Sequence, residues 1–375
     1  MDRNQIALNN YMFSAAIIID RDIYFFSEKE NILMKIGMND WNLEYSNIFS
    51  EYNLFHESRP YALRVIEGRI FKVSLDGQYI EEFSLNNSLY KKIYIGKCER
   101  LWGNFVACEV INQYIYIFFK WKKEIIRINV NDYQKEIIRF LEDEEFNCFT
   151  TACRVGHSIW LFESKSGFVR EYDMEKNKFT SFIMPAEIEE CVFACWKDNV
   201  FYLLTSSNYV YIWNPYTNFR KVLWKGERYI NIEKYFRRTI IIQQKLYLLP
   251  CMGDDIVIVD IESGEEQVYK EYPLDFCYYN KGWGKYTDYF EDNEYVYYPM
   301  RTSNYILSIH KKSGKIVWKQ ITMPKEEEKI RFYFNKLMIS QDDLNVLMKC
   351  FEVDKRRGNQ RGIKIGGNVW ETIKS

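Results

Sequence analysis

The stretch Tyr305-Ile306-Leu307-Ser308-Ile309-His310-Lys311-Lys312-Ser313-Gly314-Lys315-Ile316-Val317-Trp318 decides the fold. A mostly apolar run, a polar turn ending in Ser-Gly and a branched run ending in tryptophan read as strand, tight turn and strand. Branched and aromatic side chains suit a pleated, half-buried surface, and glycine supplies the turn conformation. The phrase recurs upstream. Residues 256–260 with Glu262-Ser263-Gly264 are one copy, and 209–213 with Asn214-Pro215 another. Further copies lie at 168–173 with Glu175-Lys176-Asn177, at 124–130 with Asn131-Asp132, at 69–75 with Asp76-Gly77, and at 31–38 with Asn39-Asp40.

Most copies are preceded by a second apolar run: 22–27, 114–119, 158–163, 200–205, 245–250 and 295–300. Before each copy stands one more candidate strand, at 13–19, 62–66, 105–110, 149–155, 192–196, 236–242 and 287–290. The copies number seven, and their turns recur at a mean spacing of about 45 residues, the span of one four-stranded propeller blade. Segments of helical period are missing between strands, which argues against βαβ units. Ile256-Val257-Ile258-Val259 is apolar on both faces, as a strand shielded on both sides must be. Asp76-Gly77, Ser263-Gly264 and Ser313-Gly314 read as the turns that close outer hairpins.

The expectation is an all-β protein, a seven-bladed β-propeller of four-stranded antiparallel blades over residues 11–340. A six-bladed ring with one irregular blade stays open, because in the second copy Glu67-Gly68 leaves only a tight link between the middle strands. Strand-like residues 330–339 are placed to pair with the first blade and close the ring, since closure removes exposed edges. Residues 341–375 read as a short C-terminal helical appendage. Ser340-Gln341-Asp342-Asp343 forms a capping box, Leu344, Leu347, Met348 and Phe351 follow at helical spacing, and Asn368 caps a last short helix.

Composition narrows the function classes. In 375 residues, 51 Lys and Arg stand against 52 Asp and Glu, a balance that argues against nucleic acid or an anionic membrane as partner. Residues 1–10 are polar and lack the basic and apolar segments of a secretory signal, so a cytoplasmic location is the expectation. The nine cysteines form no CxxC. Cys191 and Cys195 on one strand face would stand about 13 Å apart, too far to share an ion. They read as reduced, buried thiols. Histidines number three, His56, His157 and His310, each in a different copy. No GxGxxG, P-loop or HExxH occurs, so no cofactor, no metal and no catalytic residue is assigned.

The strand-turn-strand of 305–310 and 313–318, and that of 256–264, resemble a quinoprotein repeat. Over residues 11–321 the chain looks like the bacterial β-propellers of the broad Kelch-like and quinoprotein-repeat type. The resemblance implies tryptophans that dock between blades, matched at Trp318 and Trp224. It departs from Kelch blades in lacking Gly-Gly doublets, and from WD40 blades in lacking Gly-His and Trp-Asp. No family's site residues carry over.

Several charged clusters have plain readings. Asp254-Asp255 and the trio Asp288, Glu291 and Asp292 could serve hydrolysis only if two carboxyls were held about 5–9 Å apart. Loop acids are usually solvated, and Glu142-Asp143-Glu144-Glu145 and 326–328 read so. The basic run Lys355, Arg356, Arg357, Arg361 and Lys364 reads as a solvated linker.

Topology is more informative. In a meander blade, the links between blades and those joining second to third strands emerge on one face of the disc, and here they are the longest. They include 86–104, 120–123, 252–255, 278–286 and 301–304. Loops on a rigid scaffold commonly carry function. Trp102, Trp121, Asp254, Trp283, Tyr286 and Arg301 are the candidate contacts, because Trp, Tyr and Arg bury large area at modest entropic cost. The plainer reading is that the aromatics pin long loops to the disc. Two functions follow: a non-catalytic binding platform for a protein or glycan partner, or a carbohydrate-active hydrolase or lyase with its site at the mouth of the central channel.

Overall fold

The computed structural model describes residues 13–27, 33–45, 60–75, 78–84, 90–96, 104–140, 146–164, 167–232, 234–251, 253–274, 276, 285–300, 303 and 305–322. Along them, seven four-stranded antiparallel sheets follow one another, each a simple meander. Blade 1 holds β1 (Phe13–Ile19), β2 (Asp22–Ser27), β3 (Leu33–Gly37) and β4 (Leu43–Tyr45). Blade 2 holds β5 (Pro60–Ile66), β6 (Arg69–Ser74), β7 (Tyr79–Ser84) and β8 (Tyr90–Tyr94). Blade 3 holds β9 (Phe105–Ile111), β10 (Tyr114–Phe119), β11 (Glu124–Asn129) and β12 (Lys135–Arg139). Blade 4 holds β13 (Phe149–Val155), β14 (Ser158–Glu163), β15 (Phe168–Asp173) and β16 (Lys178–Ile183). Blade 5 holds β17 (Cys191–Lys197), β18 (Val200–Thr205), β19 (Tyr209–Trp213) and β20 (Arg220–Lys225). Blade 6 holds β21 (Phe236–Ile242), β22 (Lys245–Pro250), β23 (Ile256–Asp260) and β24 (Glu266–Tyr269). Blade 7 holds β25 (Phe290–Glu291), β26 (Tyr295–Pro299), β27 (Tyr305–His310) and β28 (Ile316–Gln320).

Why these sheets form a ring is visible in their burial. Second strands such as β14 and β18 are buried along nearly their whole length, whereas the fourth strand β16 is mostly open to water. A sheet apolar on both faces must be covered on both, and here each blade covers its neighbours. The buried residues fall into seven clusters, each shared by two consecutive blades, from Phe26 with Ile70 at the first interface to Phe25 with Ile306 at the last. Each fully buried Ile, Leu or Phe contributes about 1.5–3 kcal/mol. Seven interfaces make seven blades, and the six-bladed alternative is excluded.

The first strand of each blade is innermost, and from β25 through β1, β5, β9, β13 and β17 to β21 each meets the first strand of the next. In six blades it carries a register shift at its beginning, as at Pro60/Ala62 and Phe236/Arg238. Blade 7 shows the same offset, Tyr286 opposite Met300 but Phe290 opposite Tyr297. A bulge adds one residue and re-aims its side chain, so each inner strand delivers an extra residue at the head of the channel.

Three readings are corrected. Glu67-Gly68 joins the first and second strands of blade 2, not its middle strands, and Asp76-Gly77 falls between its second and third, not at the outer hairpin. The long connection 86–104 contains β8, so the true inter-blade link begins after Tyr94. Trp102 still falls in that link. Among the described residues the last and first blades meet at Thr322, which donates its N–H to Trp41 O at 2.9 Å and accepts from Leu43 N at 2.9 Å. Residues 330–339 and the appendage at 341–375 lie outside the described residues. Among the described residues, no helix is long and apolar enough to cross a membrane.

Candidate functional site

Inter-blade links and second-to-third links share one end of every meander, which defines a long-loop face. Trp102, Trp283 and Arg301 fall in such links but outside the described residues. Trp121 lies between β10 and β11, half-buried, with Lys120 Nζ 5.2 Å from its ring centre. Its link is held to both adjoining inner strands, since Lys120 N donates to Asn104 O at 2.7 Å and Phe149 N to Lys120 O at 2.9 Å.

Asp254 and Tyr286 are brought together where blades 6 and 7 meet. Lys285, directly before Tyr286, reaches Asp254 Oδ1 at 2.8 Å and Gly253 O at 3.1 Å. Its side chain is fully buried while that of Asp254 is 68 % exposed. The Tyr272 and Phe276 rings flank the ammonium at 5.0 and 5.4 Å. Desolvation holds this lysine below its usual range, and Asp254 opposes the shift. Asp255 accepts from the Tyr229 hydroxyl at 2.9 Å, and its N–H donates to the Tyr235 hydroxyl at 3.3 Å. A Cβ on Gly253 would run into the Tyr235 hydroxyl, so only glycine fits. Tyr286 is buried at the head of the blade 7 inner strand, edge-on to Tyr298 at 6.3 Å. This corner is a pinned, rigid link that presents the Asp254 carboxylate to solvent.

The inner strands gather charges of which sequence reasoning singled out only Asp288. Arg154 Nη1 donates to Glu109 Oε2 at 3.0 Å, and Arg64 Nη2 lies 3.9 Å from Glu109 Oε1. Arg64 Nε also donates to Cys108 O at 2.9 Å. Across the ring, Arg238 Nη2 lies 2.9 Å from Asp288 Oδ1, and Arg238 Nε donates to Thr287 O at 3.4 Å. A signal did exist. Residues 64, 109 and 154 follow one another at the repeat period of about 45, and residues so spaced reach similar heights on successive inner strands. Burial pushes the Cys108 and Cys195 thiols up to about 11, so both stay protonated. Trp224 and Trp318, singled out by the repeat resemblance, each cross to blade 6 or its link: Trp224 Nε1 donates to Glu266 at 2.6 Å and Trp318 Nε1 to Glu271 O at 3.0 Å.

The architecture defines the class, a seven-bladed β-propeller. Solved structures of similar fold include YCF48 bound to D1 peptide, with a TM-score of 0.57 and 9% identity over 80% of this chain and 91% of that one. Virginiamycin B lyase from Staphylococcus aureus gives 0.55 and 12% over 78% and 93%. BamB from Moraxella catarrhalis gives 0.51 and 10% over 82% and 85%. At such identities the likeness is one of fold alone. No protein-family model matches the chain, and no curated protein is similar to it.

Proposed function

We propose that the protein is a non-catalytic binding platform that holds a protein partner on the long-loop face. The observation behind this reading is the state of the channel's acids. Glu109 is engaged by Arg154 and Arg64, and Asp288 by Arg238. A hydrolase or lyase at the channel mouth needs a carboxyl free to exchange a proton with substrate, and both of these are tied to guanidinium groups. The loop face carries Asp254 and Trp121 on braced links, with Trp102, Trp283 and Arg301 on links of the same face. Rigid presentation limits the entropy lost on association. The fold of YCF48, seen with D1 peptide, supports a polypeptide as the occupant.

Capture from native lysate on the immobilised protein, quantified by mass spectrometry, tests the reading against the variant W121A/W283A/R301A, with a glycan array run in parallel. The expected result is a reproducible set of proteins whose capture falls about tenfold or more in the variant, as hot-spot truncation should cause, while the melting temperature holds. Undiminished capture, or binding confined to glycans, overturns it.

A further inference from the structure

The link between β10 and β11 reads Lys120-Trp121-Lys122-Lys123, so three cations and a tryptophan share one corner of the long-loop face. Its backbone is tied at both ends. Lys120 N donates to Asn104 O at 2.7 Å, just before the inner strand of the same blade, and Lys120 O accepts from Phe149 N of the next blade at 2.9 Å. Lys123 O accepts from Phe140 N, just after the outer strand, at 3.0 Å. The flanking residues belong to an aromatic layer: Phe119 is 5.2 Å from Phe105, and Phe149 lies 4.9 Å from Phe146 and 5.6 Å from Phe140.

Each ammonium stands against a ring of its own. Lys120 Nζ is 5.2 Å from the centre of Trp121, Lys122 Nζ 5.6 Å from that of Phe119, and Lys123 Nζ 5.6 Å from that of Phe146. A cation within about 6 Å of a ring centre is attracted to it, which narrows the freedom of side chains that otherwise lose much entropy when ordered. All four residues are half-buried. Among the described residues neither the Lys120 nor the Lys122 ammonium pairs with a carboxylate. Glu124, the next residue in the chain, is engaged by Arg139 at 3.2 Å. The link therefore holds ordered cations of which two have no counter-charge there.

We propose that this link is the electrostatic dock of the long-loop face and takes an acidic stretch of the partner polypeptide, whose successive carboxylates meet successive ammoniums. The proposal deepens the platform reading and rests on it for the partner being a protein. Three ammoniums held against three different rings are spread along the link, so they suit separate carboxylates on a chain better than the oxygens of a single phosphate. They also lack the planar fork with which a guanidinium grips phosphate. A nucleic acid fits poorly, because its continuous backbone charge would meet a molecule carrying 52 Asp and Glu against 51 Lys and Arg. Trp121 adds apolar area beside the charges, as binding hot spots do.

Isothermal titration with the amidated peptide N-acetyl-Gly-Glu-Gly-Glu-Gly-Glu, with its Gln counterpart and with a short oligouridylate tests the dock. The expected result is saturable binding of the Glu peptide that weakens as salt rises, and none of the Gln peptide. Affinity should fall about tenfold in K120Q/K122Q/K123Q, the sum of three modest surface pairs, with the melting temperature unchanged. In K221Q/K225Q, which removes two exposed lysines of β20, it should change by about twofold at most. Equal binding in K120Q/K122Q/K123Q, tighter binding of the oligouridylate, or no saturable binding of the Glu peptide overturns the proposal. So does binding that appears only in E142Q/D143N/E144Q/E145Q, which would make the chain's own acidic run the occupant of the link. The peptide needs no partner protein, so its failure leaves capture from lysate standing, whereas absent capture with intact peptide binding would remove the platform reading and leave the charge preference of the link.

Discussion

Lys72 and Glu81 pair across β6 and β7 with both side chains shut away from water, 0 % and 1 % exposed. The ammonium also sits 4.8 Å from the Phe26 ring of the neighbouring blade. A buried pair returns little net stability, but removing one partner strands the other charge in a medium that cannot solvate it. Lys72→Met should therefore cost about 3–5 kcal/mol, whereas K72M/E81L should return to within about 1 kcal/mol of the parent or exceed it. Urea midpoints of the three proteins decide this; a double variant no better than K72M would refute it. Nothing local in the sequence marks Lys72 as buried, because a lysine between Phe71 and Val73 reads as the solvent-facing member of an alternating strand. The second buried lysine, Lys285, titrates with a definite sign. Desolvation lowers its pKa from 10.5, so the unfolded chain holds the proton more tightly than the folded one. Stability must then rise with pH between the lowered value and 10.5, and the cost is fully present below that window. Thermal melts at rising alkaline pH should show the parent gaining on Lys285→Met, which cannot titrate. Parallel curves would show that Lys285 keeps its ordinary affinity for the proton.

The recurrent chemistry at the level of the element is a side-chain turn closing the outer hairpin. Asp173, Asp260 and His310 end third strands and Asn214 directly follows one, and each side chain accepts at least one backbone N–H two or three residues on. Asn129 does the same in blade 3. The sequence reading placed its turns slightly downstream, at Lys176 or Ser263, and so registered the period without the residue that enforces it. That residue varies among Asp, Asn and His because acceptance of an N–H is all the turn requires. Where the acceptor is Asp, the turn acquires a pH dependence. Hydrogen bonds from Ser263 N–H and Glu262 N–H lower the Asp260 pKa from 3.8. Its contribution is present above 3.8 and is lost as pH falls through the lowered folded-state value. Asp260→Asn should melt like the parent near neutrality and lose less below about pH 4, while Asp260→Ala should melt lower throughout. An alanine variant that melts with the parent would mean that Gly264, at φ 77°, makes the turn unaided. Blade 2 was mis-phased for a related reason. Glu67-Gly68 and Asp76-Gly77 are both good turn pairs, and only the register of β5 on β6, Ile66 opposite Arg69, tells which is the inner hairpin.

The whole ring is held by contacts that no segment of sequence contains. Arg64, Glu109 and Arg154 meet because consecutive blades stack, so the blades were legible from periodicity while the channel chemistry waited on their closure. That closure is unusual in form: every strand of blade 1 comes from the beginning of the described chain and every strand of blade 7 from its end. Among the described residues no blade interlaces the two. Among the described residues the seam includes the apolar cluster joining Ile23, Phe25 and Met34 to Tyr297 and Ile306, the Trp41 ring 6.0 Å from Tyr297, and the two backbone bonds at Thr322. In a chain of like units, stability is roughly a sum of units and nearest-neighbour interfaces, so the interface without covalent continuity is where the ring should open first. Thr322→Pro removes the N–H that Trp41 O accepts, at a cost of about 1 kcal/mol for the bond and more if the proline ring displaces Leu43. Hydrogen exchange followed by mass spectrometry should then show protection falling in β2, β3, β26 and β27, with β13, β14 and β15 unchanged. Loss spread evenly over all seven blades would mean that the ring opens as a single cooperative unit and that this seam is no weaker than the other six interfaces.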